Sequence, residues 1–185
     1  LILRSQIYNG LYNSMITENG DYGNGIDAGG YSINSLWIMV RSAESGDPDL
    51  MLSANKSLQF YKLKYTQDNV ISQSYDSSGN AVIKEDAPWV YALVGRAAIL
   101  LGDVAFSQDM IEKLIGYQSL DTAKDLGAIF EGDGANKRVG QFTMQESILT
   151  MQEYVKNNYQ FVLSGFETKP FVRGNESDRK KVVTG

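Results

Sequence analysis

The tripeptide Gly46-Asp47-Pro48 constrains the fold of this chain more than any other feature. Before it, apolar residues repeat at helical spacing from Ile33 to Val40, after a start near Ser32. Glycine commonly follows a helix C-terminus, aspartate is a preferred N-cap, and proline suits the first position of a helix. The tripeptide therefore predicts two helices that are antiparallel neighbours.

Helical spacing of apolar residues recurs along the chain, which predicts an all-α fold of about six helices in antiparallel hairpins. The first predicted helix runs from Leu1 to Met15, and the most apolar one, from Trp89 to Leu101, is expected at the centre. Between 69 and 84, short β-prone segments flank a glycine-containing turn, which predicts a short β-hairpin-like insertion. We expect a single helical domain over 1–173 and a polar tail over 174–185.

Two helix starts are predicted from capping residues in the second half of the chain. Ser107 is predicted to cap a helix that ends near Tyr117, and Thr143 with Glu146 forms a capping-box pattern. The residues expected to face inward from these two helices are Met110, Ile111, Leu114 and Ile115, and then Met144, Ile148, Met151, Val155 and Tyr159.

The composition excludes several functional classes. The 185 residues contain no cysteine and no histidine, which removes disulfides, thiolate nucleophiles, zinc sites and histidine acid–base chemistry. A net charge of -5 argues against nucleic acid as a partner. No apolar run is long enough for a transmembrane helix. We expect no cofactor and no metal site, and we favour an extracellular or cell-surface location.

A glycine-rich turn before the helix that starts near Ser32 carries one carboxylate, Asp27. Tyrosine and tryptophan can pack on the apolar faces of sugars and also offer a polar group. The candidate substrate-binding residues are Tyr22, Tyr31, Asn34, Trp37, Trp89 and Tyr91. Alternatives stay open from the residues alone: Asp27 as a turn or capping residue, both tryptophans as core residues, and Glu85-Asp86 as acidic residues that complement the helix macrodipole and cap the helix.

These segments resemble glycoside hydrolase family 8, whose members have an (α/α)6 toroid. Ile26-Asp27-Ala28 matches the Asp-Ala dipeptide of that family, and Gly46-Asp47 matches the helix break that follows it. The stretch from Tyr31 to Asn34 offers an alternative match to a Tyr-x-x-Asn version of the motif. The stretch from Tyr75 to Gly79, followed by the stretch 87–103, is similar to the family's substrate-side loop and next inner helix. The resemblance covers roughly 25–159, the C-terminal half of the pattern.

The resemblance implies a glycoside hydrolase that acts on a polysaccharide or oligosaccharide by an inverting mechanism, with Asp27 as the base. In that family the general acid is a glutamate from the earlier half of the chain. We therefore expect a missing N-terminal portion or self-association, and no hydrolase activity from the isolated 185 residues. The alternatives are a non-catalytic helical module that binds carbohydrate or protein, and a purely structural helical domain.

Overall fold

The structure is a computed structural model, and it describes residues 2–13, 15–16, 19, 22–23, 31–118, 129 and 141–158. At eight of these positions it describes the backbone alone, namely 15, 16, 22, 23, 141, 142, 144 and 158. The helices are α1 (Ile2–Ser5), α2 (Ile33–Glu44), α3 (Pro48–Asp68), α4 (Pro88–Leu100), α5 (Val104–Gly116) and α6 (Gln141–Asn158). The strands are β1 (Met15–Ile16), β2 (Tyr22–Gly23), β3 (Ser74–Tyr75) and β4 (Ala81–Ile83). The prediction of a mainly helical fold with a hairpin between 69 and 84 is confirmed, since β3 pairs antiparallel with β4.

The joint between α2 and α3 has the predicted chemistry. Gly46 has a φ of +70°, which a residue without a Cβ adopts at little cost. The Asp47 carboxylate accepts hydrogen bonds from the N–H groups of Asp49 at 2.9 Å and Leu50 at 3.0 Å. These bonds satisfy two of the backbone donors that a helix start leaves unpaired, so the local sequence alone determines this joint.

Helix α4 is the centre of the described structure, as predicted. Its residues from Val90 to Gly95 are all buried, and it packs against α2, α3 and α5. Because α4 is apolar on nearly every side, partners can cover it all round.

The predicted helix from Leu1 to Met15 is wrong beyond Ser5. The chain turns at Gly10, whose φ is +98°, and a Cβ there would lie 2.7 Å from the carbonyl oxygen of Lys56 on α3. The turn sends Leu11 into the core instead of along a helix face. Only glycine can combine this conformation with so close an approach to another backbone.

The predicted start of α5 is also wrong. Asp103, not Ser107, is the N-cap: its carboxylate accepts from the N–H of Phe106 at 3.2 Å, and the helix begins at Val104. The Ser107 hydroxyl instead donates to the carbonyl of Val104. Of the residues expected to face inward, only Ile115 is exposed, at 50%.

Helix α6 begins two residues before Thr143, so the predicted capping box does not form. Among the α6 side chains that the structure describes, the buried ones are polar, namely Thr143, Glu146, Ser147 and Thr150, while Ile148 and Val155 are 46% and 47% exposed. Met151, also expected to face inward, is half-buried and packs against the core cluster of Ala92, Leu114 and Ile129. The predicted apolar inward face at Ile148 is therefore wrong. The physical reason is that Thr150 donates to the carbonyl of Ala92 at 2.9 Å and Glu146 meets Arg96, so α6 contacts α4 through polar groups.

The chain divides into two compact units, Leu1–Tyr154 and Val155–Gly185. The domain boundary predicted after residue 173 falls outside the described residues and stays a prediction. No helix of the described part is both long and apolar enough to cross a membrane.

Candidate functional site

The segment from Gln73 to Tyr75, which includes β3, joins the starts of α2 and α4. The N–H of Tyr31, just before α2, donates to the Tyr75 carbonyl at 2.7 Å, and the N–H of Tyr75 donates back at 3.1 Å. The N–H of Gln73 donates to the carbonyl of Glu85, just before α4, at 3.0 Å. The two helices therefore start at the same end of the fold, which we call the hairpin end.

Tyr31 is fixed at the hairpin end by its side chain as well as its backbone. Its hydroxyl donates to the Asn13 side-chain oxygen at 2.8 Å, and burial raises the pKa of the phenol. The N–H of Tyr12 donates to the Ser35 hydroxyl on α2 at 2.9 Å. The segment just before Asn13 is therefore also bonded to the first turn of α2. The candidate residue Tyr31 thus lies at a rigid joint between three segments.

Asp86 is held at the hairpin end by a tyrosine hydroxyl. Tyr91 donates to the Asp86 carboxylate at 2.6 Å. The centre of the Tyr117 ring lies 6.1 Å from that of Tyr91. Burial, and then the Asp86 carboxylate, raise the pKa of both phenols. Helix capping, the alternative considered for Asp86, is wrong, because the N-cap position of α4 is Ala87 and no side chain caps it.

The other candidate residues differ in exposure. Tyr91 is fully buried, so its ring meets the core and its hydroxyl meets Asp86. Trp89 and Trp37 are half-buried and pack partly against the core. The Arg41 guanidinium lies 4.9 Å from the centre of the Trp37 ring, a cation–π distance. Asn34 is exposed in the first turn of α2.

Two candidate residues cannot be placed as side chains. Asp27 lies outside the described residues. Tyr22 is described in its backbone alone, where it pairs with Ile16 between β2 and β1. Their predicted roles, in catalysis and in substrate binding, stay predictions.

A cluster of charges that the sequence did not predict joins α2, α4 and α6. Arg96 of α4 pairs with Glu44 of α2 and, at 3.4 Å, with Glu146 of α6. The signal for it was available, because Arg96 is the one charged residue between Pro88 and Leu100 and a charge in a buried helix needs a partner.

Glu146 has the raised pKa that a general acid requires, but not the access. Burial raises its pKa more than the nearby Arg96 lowers it. Its side chain is only 2% exposed, so no substrate oxygen can approach it within hydrogen-bond distance without rearrangement. The cluster is therefore a structural junction of helices. Within the described residues, no three acidic side chains converge as metal ligands.

No protein-family model and no curated protein matches the sequence. The fold itself has a counterpart among solved structures. That structure is described as a novel alpha-amylase from Clostridium perfringens, and it superposes with a TM-score of 0.69 at 23% sequence identity. The match covers 83% of this chain and 44% of the amylase, so the chain spans less than half of that protein. At this identity the likeness shows the fold alone; membership of family 8 stays a prediction.

Proposed function

We propose that this chain acts on a polysaccharide as a glycoside hydrolase. The observation that carries the proposal is the fold shared with an alpha-amylase over 83% of the chain. The hairpin end adds chemistry that suits a glycan, because it brings the half-exposed ring of Trp89 and the carboxylate of Asp86 to the start of one helix. Family 8 membership and an extracellular location are further parts of the proposal.

The proposed mechanism is inverting, with Asp27 as the base that activates water. Such a mechanism needs a base and a general acid about 6.5–9.5 Å apart, with room for the water between them. Asp27 precedes Tyr31 by four residues in the sequence. No described residue is assigned as the general acid.

The Asp27→Asn variant tests the proposal in the intact protein, because the isolated 185 residues are expected to show no hydrolase activity. Asparagine keeps the shape of the side chain but cannot take a proton, so hydrolysis should fall by about 10²–10⁴-fold. Release of reducing ends from soluble starch and from a mixed-linkage β-glucan measures the activity, and NMR of the first product shows whether its anomeric configuration is inverted. The matched control is Asp49→Asn, an exposed carboxylate on α3, which should leave the activity unchanged. Full hydrolysis by Asp27→Asn would remove this residue from the mechanism.

A non-catalytic carbohydrate-binding module is the second candidate. The observation that favours it is the position of Asp86, which the Tyr91 hydroxyl holds without any requirement for a reaction step. Binding of starch oligosaccharides by the intact protein, without cleavage of any tested glycan, would establish this candidate over the first.

A further inference from the structure

The pair Asn9-Gly10 lies at the turn that follows α1. An Asn-Gly pair is prone to deamidation, because glycine has no Cβ to obstruct its own backbone nitrogen. In that reaction the Gly10 nitrogen loses its proton and bonds to the side-chain carbonyl carbon of Asn9, which releases ammonia and leaves a cyclic imide. Water then opens the imide to aspartate or to isoaspartate. The surrounding fold decides whether the pair can react.

The attacking nitrogen is held in the folded protein. The N–H of Gly10 donates to the carbonyl of Ile7 at 3.0 Å, so removal of its proton requires this hydrogen bond to break. Gly10 is buried, and a Cβ on it would lie 2.7 Å from the carbonyl oxygen of Lys56 on α3. Its backbone therefore has little room to turn toward the Asn9 side chain.

The Asn9 carboxamide is held from two sides. Its oxygen accepts from the N–H of Leu11 at 3.3 Å. Its nitrogen donates at 3.2 Å to the carbonyl of Ser77, in the turn 76–80 between β3 and β4, which we call the hairpin turn. A Cβ on Gly79 of this turn would lie 3.7 Å from the same nitrogen and 3.1 Å from the Phe60 ring. The carboxamide cannot rotate toward the attacking nitrogen while these contacts hold.

We propose that Asn9 is a deamidation site that the hairpin turn protects, and that it reacts only when this turn moves away from it. The reactants are the chain itself and water. The proposal concerns a covalent modification of the fold, and it does not depend on the proposed function.

The reaction prevents the hairpin turn from returning to its place. The aspartate product keeps an acceptor for Leu11 but has no donor for the Ser77 carbonyl, so two oxygens face each other. The isoaspartate product adds a methylene to the backbone beside Gly10, where α3 leaves no space. Because the same hairpin carries Tyr75, which bonds to Tyr31 before α2, deamidation loosens the hairpin end.

The first experiment compares the intact protein in buffer and in concentrated guanidinium chloride, at one mildly alkaline pH. Peptide mapping by mass spectrometry follows the conversion of Asn9 to aspartate and isoaspartate. Because the pair is free to react only in the unfolded chain, Asn9 should react at least about tenfold more slowly in the folded protein. Equal rates in the two states would overturn the protection.

The second experiment separates movement of the hairpin turn from unfolding of the whole protein. Gly79→Ala places a Cβ against Phe60 and beside Asn9, at a φ of +83°. The matched control is Gly102→Ala, where φ is +79° and an added Cβ meets nothing within 4 Å. Both variants carry a similar backbone strain, but only the first crowds the hairpin turn. Asn9 should deamidate at least about fivefold faster in Gly79→Ala, and at the wild-type rate in Gly102→Ala.

Two results of this comparison would contradict the proposal. Equal acceleration in both variants would mean that Asn9 reacts through global unfolding, and an unchanged rate in both would mean that the hairpin turn does not protect it. The wild-type protein gives the same distinction without any variant. Reaction through local opening is nearly independent of guanidinium chloride below the unfolding transition, whereas a rate that rises with the full m-value would show global unfolding and overturn the proposal.

The third experiment tests the effect of the product with Asn9→Asp. Hydrogen exchange of the Asp76 and Gly79 amides, which hydrogen-bond within the hairpin turn, should become faster in this variant. Asn55→Asp on α3 adds the same charge but keeps the oxygen that accepts from Gln59, so exchange in the hairpin turn should not change there. Unchanged exchange in Asn9→Asp would mean that the Asn9 side chain does not hold the turn, and would overturn the proposal.

Discussion

Glu146 is a carboxyl for which burial outweighs the attraction of its ion-pair partner. Its side chain is 2% exposed, and the Arg96 guanidinium lies 3.4 Å away while also serving Glu44. Burial therefore raises the pKa of Glu146 above its ordinary value of 4.5 despite the nearby positive charge. A raised pKa means that the folded state binds this proton more tightly than the unfolded state does, so the group couples stability to pH.

The Glu146→Gln variant tests this coupling. The wild-type protein gains stability from this group at pH below 4.5 and loses it as pH rises through the raised pKa of the folded state. Glutamine does not titrate, so its stability relative to wild type should increase as the pH is raised from 4 to 7, as read from urea unfolding across that range. Glu112→Gln on the exposed side of α5 serves as the control. A relative stability that falls with rising pH would mean that the Arg96 pair dominates.

The sequence predicted residues well where the signal was local. Asp47 caps the helix that follows it, and Gly46 adopts the positive φ of the turn just before it. Both roles are local in the sequence, so they followed from residue type. Glu146 was assigned to a capping box with its neighbour Thr143, but its partner is Arg96, 50 positions away. The hydrogen bond from Thr150 to the carbonyl of Ala92 also joins separate helices, so no spacing rule could reveal it.

At the scale of elements, α4, α5 and α6 pack closely together at Gly95. A Cβ placed on this residue would lie 3.0 Å from the Cβ of Met110 on α5 and 3.4 Å from a methyl carbon of Thr150 on α6. A Cβ atom cannot move away without its backbone, so α5 would have to shift. The glycine therefore sets how near these helices can approach.

The Gly95→Ala variant should destabilise the fold by about 1–3 kcal/mol, the usual cost of overpacking a core. The matched control is Gly116→Ala at the end of α5, where an added Cβ meets nothing within 4 Å. That variant should be neutral or more stable by up to about 1 kcal/mol, because alanine favours helix. Urea unfolding measures the free energy of unfolding of both variants, and equal m-values for the variants and the wild type show that the comparison is valid. If Gly95→Ala proved as stable as Gly116→Ala, the close approach at Gly95 would be wrong.

The elements themselves were predictable to different degrees. The α2–α3 joint and the β3–β4 hairpin follow from local turn residues; at the hairpin turn the N–H of Asp76 donates to Asn80 at 2.8 Å. The end of α1 at Ser5 depends on the approach of Gly10 to α3, which is a tertiary contact. The buried face of α6 was mispredicted because its polar residues have partners on α4, and apolar periodicity carries no information on such partners.

At the scale of the whole molecule, the absence of histidine and cysteine leaves tyrosine and lysine as the side chains that titrate above neutral pH. Within the described residues, seven tyrosines have a pKa raised in each case chiefly by burial: Tyr12, Tyr31, Tyr61, Tyr65, Tyr75, Tyr91 and Tyr117. The combined titration of these tyrosines, rather than that of one residue, should determine the highest pH at which the fold is stable.

Stability should therefore fall steeply above pH 10. There the unfolded chain loses phenol protons that the folded state retains, so the folded state binds more protons and stability decreases as pH rises. Each such tyrosine contributes a slope of about 1.4 kcal/mol per pH unit. Urea unfolding from pH 8 to 11 should show a smaller slope for Tyr91→Phe than for wild type, and an unchanged slope for Tyr8→Phe, which removes a tyrosine that is 74% exposed. A stability that stays level to pH 11 would contradict the burial of these phenols, since the free energy of unfolding must reflect every proton held only by the folded state.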